Sequence, residues 1–242
     1  MKRLVIKVGS HILTKDNILL EERIEDISQL IYQLREKGYE VILITSGAVA
    51  VGYSKIKLDM NSLENRQALS AIGQPFLMNI YQNEFSKYDI ITSQFLLTET
   101  NFDLRSNTRY AKRVINTLLS KGVLPIINEN DTTATKELVF GDNDSLSANV
   151  TYYFDCDMLV ILSNNDGYYN SEGLFIKKVS TIEDNEIKNS LISFGGLSTK
   201  LESAKFLLDR GREMFLSNGY DLSDVREFLL NNNHQGGTLF SQ

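Results

Sequence analysis

Hydrophobic and polar positions follow two different periods along this 242-residue chain. Short runs of β-branched and other apolar residues predict strands, whereas longer stretches with apolar residues three or four apart predict helices. The stretch 21–37, for example, carries Ile24, Ile27 and Leu30 on one helical face and stops at Gly38. The predicted strands are 3–8, 41–45, 90–97, 123–128, 158–163 and 213–216, with weaker strands near 168–169 and 175–179. The predicted helices are 21–37, 63–87 with a break near Gly73 and Pro75, 106–121, 142–154, 198–210 and 221–230.

These elements follow the strand–helix–strand order of an α/β protein. The runs 41–44, 123–127 and 159–162 are apolar throughout, which is typical of strands buried on both faces. We therefore predict a three-layer αβα sandwich with a mainly parallel central sheet. Residues 164–196 are richer in Asn, Asp, Ser and Gly, and they fit a lobe boundary and a long surface excursion equally well.

Composition narrows the classes of function. The net charge is −6 and no basic run occurs, which argues against a nucleic-acid partner because phosphate contacts need clustered Lys and Arg. The one cysteine, Cys156, excludes an internal disulfide and is interpreted as a small apolar filler. His11 and His234 lie far apart in the sequence, and no metal-ligand pattern is found.

The N-terminal apolar run is unlike a targeting segment. Lys7 interrupts it, which does not fit a signal peptide or a membrane anchor. The longest apolar stretches have the length of strands and are too short to span a bilayer. We therefore expect a cytoplasmic protein without a membrane partner.

Small and polar residues follow the predicted strands at their carboxyl ends, where open parallel sheets bind ligands. The segments at these strand ends are Lys7-Val8-Gly9-Ser10, Thr45-Ser46-Gly47-Ala48, Asn128-Glu129-Asn130-Asp131 and Ser163-Asn164-Asn165-Asp166-Gly167. Two further segments open predicted helices, and they are Gly141-Asp142-Asn143-Asp144 and Gly195-Gly196-Leu197-Ser198-Thr199-Lys200. Together they predict a polar site with glycine-lined approaches.

Each segment also has a structural interpretation. Taken alone, Lys7 fits a snorkelling surface lysine, but a charge in an inner strand needs a partner. Ser46 and Gly47 fit an N-cap and tight turn as well as a ligand role. The segment 141–144 fits a turn with a cap, but its close grouping of carboxylates and amides favours a site. A phosphate role is favoured for 195–200, because backbone N–H groups, hydroxyls and a cation would converge on one anion. The sequence contains no P-loop pattern and no dinucleotide-binding glycine turn. A phosphate site in this chain therefore needs a different arrangement of glycines.

With these segments the sequence resembles the amino acid kinase family, and within it the branch that phosphorylates L-glutamate. The Asn-Glu-Asn-Asp and Gly-Asp-Asn-Asp pair, with Gly-Gly-x-Ser-Thr-Lys downstream, is specific to that branch. The matching segments keep the family's order over almost the whole chain, and they are Val5-Ile6-Lys7-Val8-Gly9-Ser10, Thr45-Ser46-Gly47-Ala48-Val49-Ala50, Ala71-Ile72-Gly73-Gln74, Pro125-Ile126-Ile127-Asn128-Glu129-Asn130-Asp131, Gly141-Asp142-Asn143-Asp144-Ser145-Leu146-Ser147-Ala148, Gly195-Gly196-Leu197-Ser198-Thr199-Lys200 and Gly237-Thr238-Leu239-Phe240.

The resemblance implies phosphorylation of the L-glutamate γ-carboxylate by ATP with Mg²⁺, which is the first step of proline biosynthesis. By residue match, Lys7 and Lys200 would stabilise the transferring phosphoryl group and Asp144 would hold both lysines. Glutamate would bind in the part before residue 156, at Ser46, Gly47, Ala48, Asn128, Asp131 and Asn143. ATP would bind mainly to the part 156–242, and its residues would be Lys7, Gly9, Ser10, Ser163, Asn164, Gly195, Gly196, Leu197, Ser198, Thr199 and Lys200.

The resemblance also sets expectations about domains and partners. Many members of this branch carry a further C-terminal PUA domain of the RNA-binding type, and we expect residues 1–242 to form one kinase domain without it. The family usually has Thr-Asp where Ser163-Asn164 stands, so a carboxylate is missing on the nucleotide side. Expected partners are a second copy of the chain in a dimer or tetramer, proline as a feedback inhibitor, and glutamyl-phosphate reductase.

Two other functions stay open. The first is a kinase of the same fold for another acceptor, such as carbamate, aspartate, acetylglutamate or a nucleoside monophosphate. The second is a non-catalytic sensor of nucleotide or amino acid. The presence of Lys7, Asp144 and Lys200 argues against the sensor, since a sensor is expected to lose a charged catalytic residue.

Overall fold

The structure is a computed structural model, and it describes residues 2–133, 143–193 and 196–242. Its strands in chain order are β1 (Arg3–Val8), β2 (Thr14–Lys15), β3 (Ile18–Leu19), β4 (Glu40–Ile44), β5 (Thr92–Leu97), β6 (Leu124–Glu129), β7 (Met158–Ser163), β8 (Tyr168–Tyr169), β9 (Phe175–Ile176), β10 (Lys178–Val179), β11 (Glu213–Asn218) and β12 (Thr238–Phe240). Its α-helices are α1 (Ser10–Leu13), α2 (Glu21–Glu36), α3 (Ala48–Lys55), α4 (Leu63–Ser86), α5 (Arg105–Ser120), α6 (Asp144–Tyr153), α7 (Asp184–Ser193), α8 (Leu197–Leu208) and α9 (Ser223–Asn231).

An eight-stranded sheet forms the centre of the molecule, in the order β10-β12-β11-β7-β1-β4-β6-β5. The strands from β11 to β5 pair in parallel, and β12 runs antiparallel to β11. The mainly parallel sheet predicted from the fully apolar strand runs is therefore confirmed. Two small antiparallel pairs, β2 with β3 and β8 with β9, lie outside it.

Helices cover both faces of this sheet, as an αβα sandwich requires. Along β1 the buried side chains alternate, so that Leu4 and Ile6 belong to one core and Val5 belongs to the other. Residues of α2, α4 and α9 complete the first core, and residues of α6 and α8 complete the second. Because successive side chains of a strand point to opposite faces of the sheet, one apolar run contributes to the cores on both faces.

Helix α4 runs without interruption from Leu63 to Ser86, so the predicted break near Gly73 and Pro75 is wrong. Pro75 lies on the exposed side, where the hydrogen bond lost by its missing N–H can be replaced by water. Gly73 is buried against α3: a Cβ there would lie 1.9 Å from the Ala48 carbonyl oxygen and 2.4 Å from the Gly52 nitrogen. The glycine serves close helix packing and does not end the helix.

Replacing Gly73 with alanine should therefore destabilise the protein by several kcal/mol. In an open helix the same change is favourable by about 1 kcal/mol, so the steric overlap reverses the sign. Urea unfolding of Gly73→Ala measures the effect. The control is Ala71→Gly at an exposed position of the same helix, which should cost only about 1 kcal/mol. A stabilised Gly73→Ala variant would contradict the close contact of α3 and α4.

Cys156 is fully buried in the second core, as expected for a small apolar filler. Burial raises the pKa of its thiol to about 12, so the thiolate is scarce at neutral pH. The folded protein should react at least about 100-fold more slowly with a thiol-specific disulfide reagent at pH 8 than the protein in urea. Equal rates in the two states would contradict this burial.

Among the residues that the structure describes, every helix is too short or too polar to cross a membrane.

Candidate active site

The carboxyl ends of four adjacent parallel strands bring the predicted site segments to one edge of the sheet. Strand β1 lies between β7 and β4, and β6 is next to β4. In this register Lys7 is opposite Ile44 on one side and Ile161 on the other. The segments after β1, β4, β6 and β7 therefore meet, as the strand-end rule predicts.

A buried ionic cluster lies at this edge. Lys7 is 2% exposed, Asp144 is 0% exposed and Lys200 is 9% exposed. The Lys7 Nζ is 2.7 Å from Asp144 Oδ1, and the Lys200 Nζ is 2.9 Å from Asp144 Oδ2. Lys200 Nζ and the Thr199 hydroxyl both donate to the Gly196 carbonyl oxygen, at 3.0 Å each. Lys7 is thus a buried strand residue with a partner, and the surface interpretation of Lys7 is wrong.

Three elements that are distant in sequence build this cluster. Lys7 comes from β1, Asp144 is the first residue of α6, and Lys200 lies in the first turn of α8. The Thr199 hydroxyl oxygen also lies 3.1 Å from Asp144 Oδ2. One carboxylate thus fixes two ammonium groups near each other, which suits a site for a highly charged anion.

A cavity of about 390 Å³ opens beside the cluster. This volume falls in the range of about 300–1,000 Å³ that is typical of small-molecule sites. Its lining includes all six residues that were matched to the glutamate site, which are Ser46, Gly47, Ala48, Asn128, Asp131 and Asn143.

A hydrogen-bond network orients the amides of the cavity wall. The Asn143 side-chain nitrogen donates to the Thr45 carbonyl oxygen at 2.9 Å and to Asn128 Oδ1 at 3.0 Å. It also lies 3.4 Å from the Ser46 hydroxyl oxygen. Asn128 in turn donates to Gln74 Oε1 at 2.9 Å. Because each amide has fixed partners, the wall is preorganised before a ligand binds.

A second layer of contacts supports this wall. The Ser70 hydroxyl donates to Asp131 Oδ2 at 2.6 Å. The hydroxyls of Thr45 and Tyr81 are 2.8 Å apart in the buried layer below. Burial raises the pKa of the Tyr81 phenol far above its usual range, so this hydroxyl stays protonated and hydrogen-bonded at every physiological pH.

Glycines with positive φ start two helices at the site. Gly47 precedes α3 with φ 104°, and Gly196 precedes α8 with φ 86°. In both cases the N-cap makes no side-chain hydrogen bond to the first turn. Ser46 is not the N-cap but lines the cavity. The first-turn N–H groups of both helices thus receive no side-chain hydrogen bond from the N-cap residue, and such groups can bind an anionic ligand.

The described residues matched to ATP lie in or just after β1, at the end of β7, and at the start of α8. Ser163 ends β7 and is buried, whereas Asn164 is exposed, and the Ser163 hydroxyl donates to Asn164 Oδ1 at 3.2 Å. Ser10 is the member of this set that also lines the cavity. Gly141, Asp142 and Gly195 lie outside the described residues. Within the described ranges, no group of three or more His, Cys, Asp or Glu side chains could hold a metal ion.

Sequence reasoning missed Arg66, Ser70 and Gln74, which follow one another at intervals of one helical turn on α4. Arg66 lines the cavity, and the other two contact Asp131 and Asn128. Their four-residue spacing was visible in the sequence. The break predicted near Gly73 and Pro75 would turn Gln74 away from the face that carries Arg66 and Ser70.

Comparison with known proteins identifies the family. The family model described as "Amino acid kinase family" matches residues 2–218. The chain belongs to the amino acid kinase family. This amino acid kinase is 47% identical over 257 residues to glutamate 5-kinase from Wolinella succinogenes, with 100% of this chain and 98% of that protein covered. It is 46% identical over 251 residues to glutamate 5-kinase from Leishmania donovani, with coverage of 99% and 95%.

Solved structures of more distant proteins show the same fold. Giardia carbamate kinase superposes on this amino acid kinase with a TM-score of 0.68 at 16% identity, covering 100% of this chain and 99% of the other. UMP kinase from Ureaplasma parvum gives a TM-score of 0.67 at 14% identity, with 100% of both chains covered. These likenesses confirm the predicted αβα sandwich.

Proposed function

We propose that this chain transfers the γ-phosphoryl group of ATP to the γ-carboxylate of L-glutamate, forming L-glutamyl 5-phosphate. The observation that carries the proposal is the position of the Lys7–Asp144–Lys200 cluster directly beside the cavity. Asn143 lines that cavity, and the next residue, Asp144, holds both lysines. The glutamate 5-kinases described above share nearly half of their residues with this chain over its full length.

The reaction needs no general base, because a γ-carboxylate is already ionised at neutral pH. One of its oxygens attacks the γ-phosphorus and forms a new P–O bond. The bond from the γ-phosphorus to the oxygen that bridges it to the β-phosphorus breaks, and its electron pair leaves with ADP. The chemical difficulty is to bring two anions together, so catalysis rests on positioning and charge neutralisation.

The ammonium groups of Lys7 and Lys200 supply this neutralisation from the protein. Asp144 keeps them in place while the charge distribution on the phosphoryl group changes, so little reorganisation is needed in the transition state. Mg²⁺ enters with ATP as the MgATP substrate, where it neutralises phosphate charge.

The two substrates approach the cluster from opposite sides in this proposal. L-Glutamate occupies the cavity between Ser46, Asn128, Asp131 and Asn143, with its γ-carboxylate toward the lysines. ATP lies across the ends of β1 and β7, at Gly9, Ser10, Ser163, Asn164 and 196–199. We propose that residues 1–242 act as one domain, in which the part before residue 156 holds glutamate and the later part holds nucleotide.

Three partner relations accompany this proposal. L-Proline resembles a cyclised glutamate, so it is proposed as a competing inhibitor in the same cavity. The acyl phosphate product is labile, which supports direct use by a glutamyl-phosphate reductase. Membership of an often oligomeric family supports a dimer or tetramer, and the use of ATP and L-glutamate supports a cytoplasmic location.

The test is ATP turnover by the purified chain with Mg²⁺ and L-glutamate, in the presence of hydroxylamine. Hydroxylamine converts an acyl phosphate to a stable hydroxamate, which separates carboxylate phosphorylation from plain ATP hydrolysis. D-Glutamate, L-aspartate, N-acetyl-L-glutamate, carbamate and UMP serve as competing acceptors, and ADP release is followed for the acceptors that form no hydroxamate. We expect product with L-glutamate and little with the others.

Each outcome has a separate meaning. Product with another acceptor instead of L-glutamate would keep the fold and the mechanism but reject the substrate. Binding of ATP without turnover of any acceptor would reject the kinase proposal in favour of a sensor.

A further inference from the structure

Three polar side chains form a row along the face of α4 that meets the cavity. Arg66, Ser70 and Gln74 are each four residues apart, which places them above one another on the helix. Gln74 accepts a hydrogen bond from Asn128, and Ser70 donates one to Asp131. Two members of the row thus position cavity residues that the proposed function assigns to the amino acid.

The third member, Arg66, lines the cavity itself. Its Nε is buried and has no hydrogen-bond partner among the described residues. A buried guanidinium N–H without an acceptor is costly, because the group has lost its water as well. Among the described lining residues, Arg66 is the one lysine or arginine. Arg66 as a whole is half-buried, so a ligand in the cavity would meet its positive charge through the outer guanidinium nitrogens and not through the closed Nε.

Asp131 lines the same cavity as Arg66 and has the opposite charge. Ser70 is one turn from Arg66 on α4 and holds the Asp131 carboxylate at 2.6 Å. The cavity lining therefore carries both a carboxylate and a guanidinium. The α-carbon of a free amino acid carries an ammonium and a carboxylate, which is the complementary pair of charges.

We propose that Arg66 binds the α-carboxylate of the acceptor amino acid and thereby selects free α-amino acids. The inference rests on the proposed function and adds the residue that recognises the end of glutamate that does not react. Arginine suits this task because its planar fork can make two parallel hydrogen bonds to one carboxylate. With that end fixed by Arg66 and Asp131, the γ-carboxylate is directed toward Lys7 and Lys200.

The experiment compares Arg66→Gln and Arg66→Lys with the wild type on two acceptors. 4-Aminobutyrate keeps the reacting carboxylate and the amine of L-glutamate but lacks the α-carboxylate. Arg105→Gln is the matched control, because it removes an exposed arginine from the first turn of α5. Catalytic efficiency is measured by hydroxamate formation, and binding of both acceptors is measured by calorimetry, which requires no turnover. Thermal unfolding shows that each variant is folded.

We expect Arg66→Gln to lower both the catalytic efficiency with L-glutamate and the binding affinity for L-glutamate by about 10- to 100-fold. This loss corresponds to a lost hydrogen bond between charged groups. For 4-aminobutyrate both quantities should change by less than about twofold, since this acceptor has no α-carboxylate for Arg66 to bind. Arg66→Lys should lie between these limits, because it keeps the charge and loses the fork. Arg105→Gln should match the wild type with both acceptors.

An equal loss with both acceptors, or no loss with either, would overturn the role of Arg66. Failure of the proposed function has a different signature, because the wild type itself would then form no hydroxamate from L-glutamate. The ratio of the two binding constants still tests Arg66 in that event. If Arg66→Gln does not fold, the ratio of the binding constants for L-glutamate and 4-aminobutyrate in Arg66→Lys tests the role of Arg66 instead.

Discussion

Lys200→Ala should lower turnover with ATP and L-glutamate by about 100-fold or more, as expected when an electrostatic stabiliser of the transition state is lost. The fold should survive, because Asp144 keeps its contacts with Lys7 at 2.7 Å and with the Thr199 hydroxyl at 3.1 Å. The KM for L-glutamate should change little, since Lys200 is not part of the cavity lining. Steady-state kinetics over a range of L-glutamate concentrations measures both quantities.

Lys205→Ala provides the control for this experiment. Lys205 lies on the same helix, and its ammonium pairs with Asp184, whose side chain is 75% exposed. Its removal should leave turnover within about twofold, because this pair is exposed to solvent and lies outside the buried cluster. Near-normal turnover in both Lys200→Ala and Lys7→Ala would reject the two lysines as stabilisers of phosphoryl transfer.

Asp144→Ala should have a second effect that Lys200→Ala lacks, which is a large loss of stability. The substitution removes the carboxylate shared by two buried ammonium groups, and breaking a buried pair costs about 3–5 kcal/mol. Turnover should also fall by at least about 100-fold, because the lysines lose the group that holds them. The free energy of unfolding is measured by urea titration at pH 7, and turnover by the hydroxamate assay.

Asp184→Ala is the matched control for stability. It removes an aspartate that also pairs with a lysine of α8, but at the surface, so it should change the free energy of unfolding far less than Asp144→Ala does. If Asp144→Ala were as stable as Asp184→Ala, the buried cluster would not hold α6, α8 and β1 together as described.

The strands could be predicted from the local pattern of apolar residues. The location of the site could be predicted because open parallel sheets bind ligands at the carboxyl ends of their strands. Fully apolar runs such as 159–162 are typical of strands buried on both faces of a parallel sheet, and the strand-end rule then places Ser46 and Asn128 together. The pairing of Asp144 with Lys200 was implied by family resemblance alone. Fifty-six positions separate these two residues, and neither periodicity nor spacing reports a contact over that distance.

The continuity of α4 could not be predicted, because the meaning of Gly73 depends on its tertiary neighbour. In the sequence a glycine two residues before a proline indicates a break. In the structure this glycine allows α3 to approach, and the exposed Pro75 is tolerated. Arg66 was missed because its place at the cavity is a tertiary contact, which helical spacing does not report.

The central place of β1 in the sheet has a consequence for synthesis on the ribosome. β1 pairs on one side with β4 and on the other with β7, whose partner residues 158–162 are made about 150 positions later. Until then one edge of an apolar strand has no neighbour, and such edges can pair with other chains. Long-range parallel pairing is also slow to form. The strand that carries Lys7 is therefore among the first segments to be synthesised, but it is completed on both sides only after two thirds of the chain has emerged.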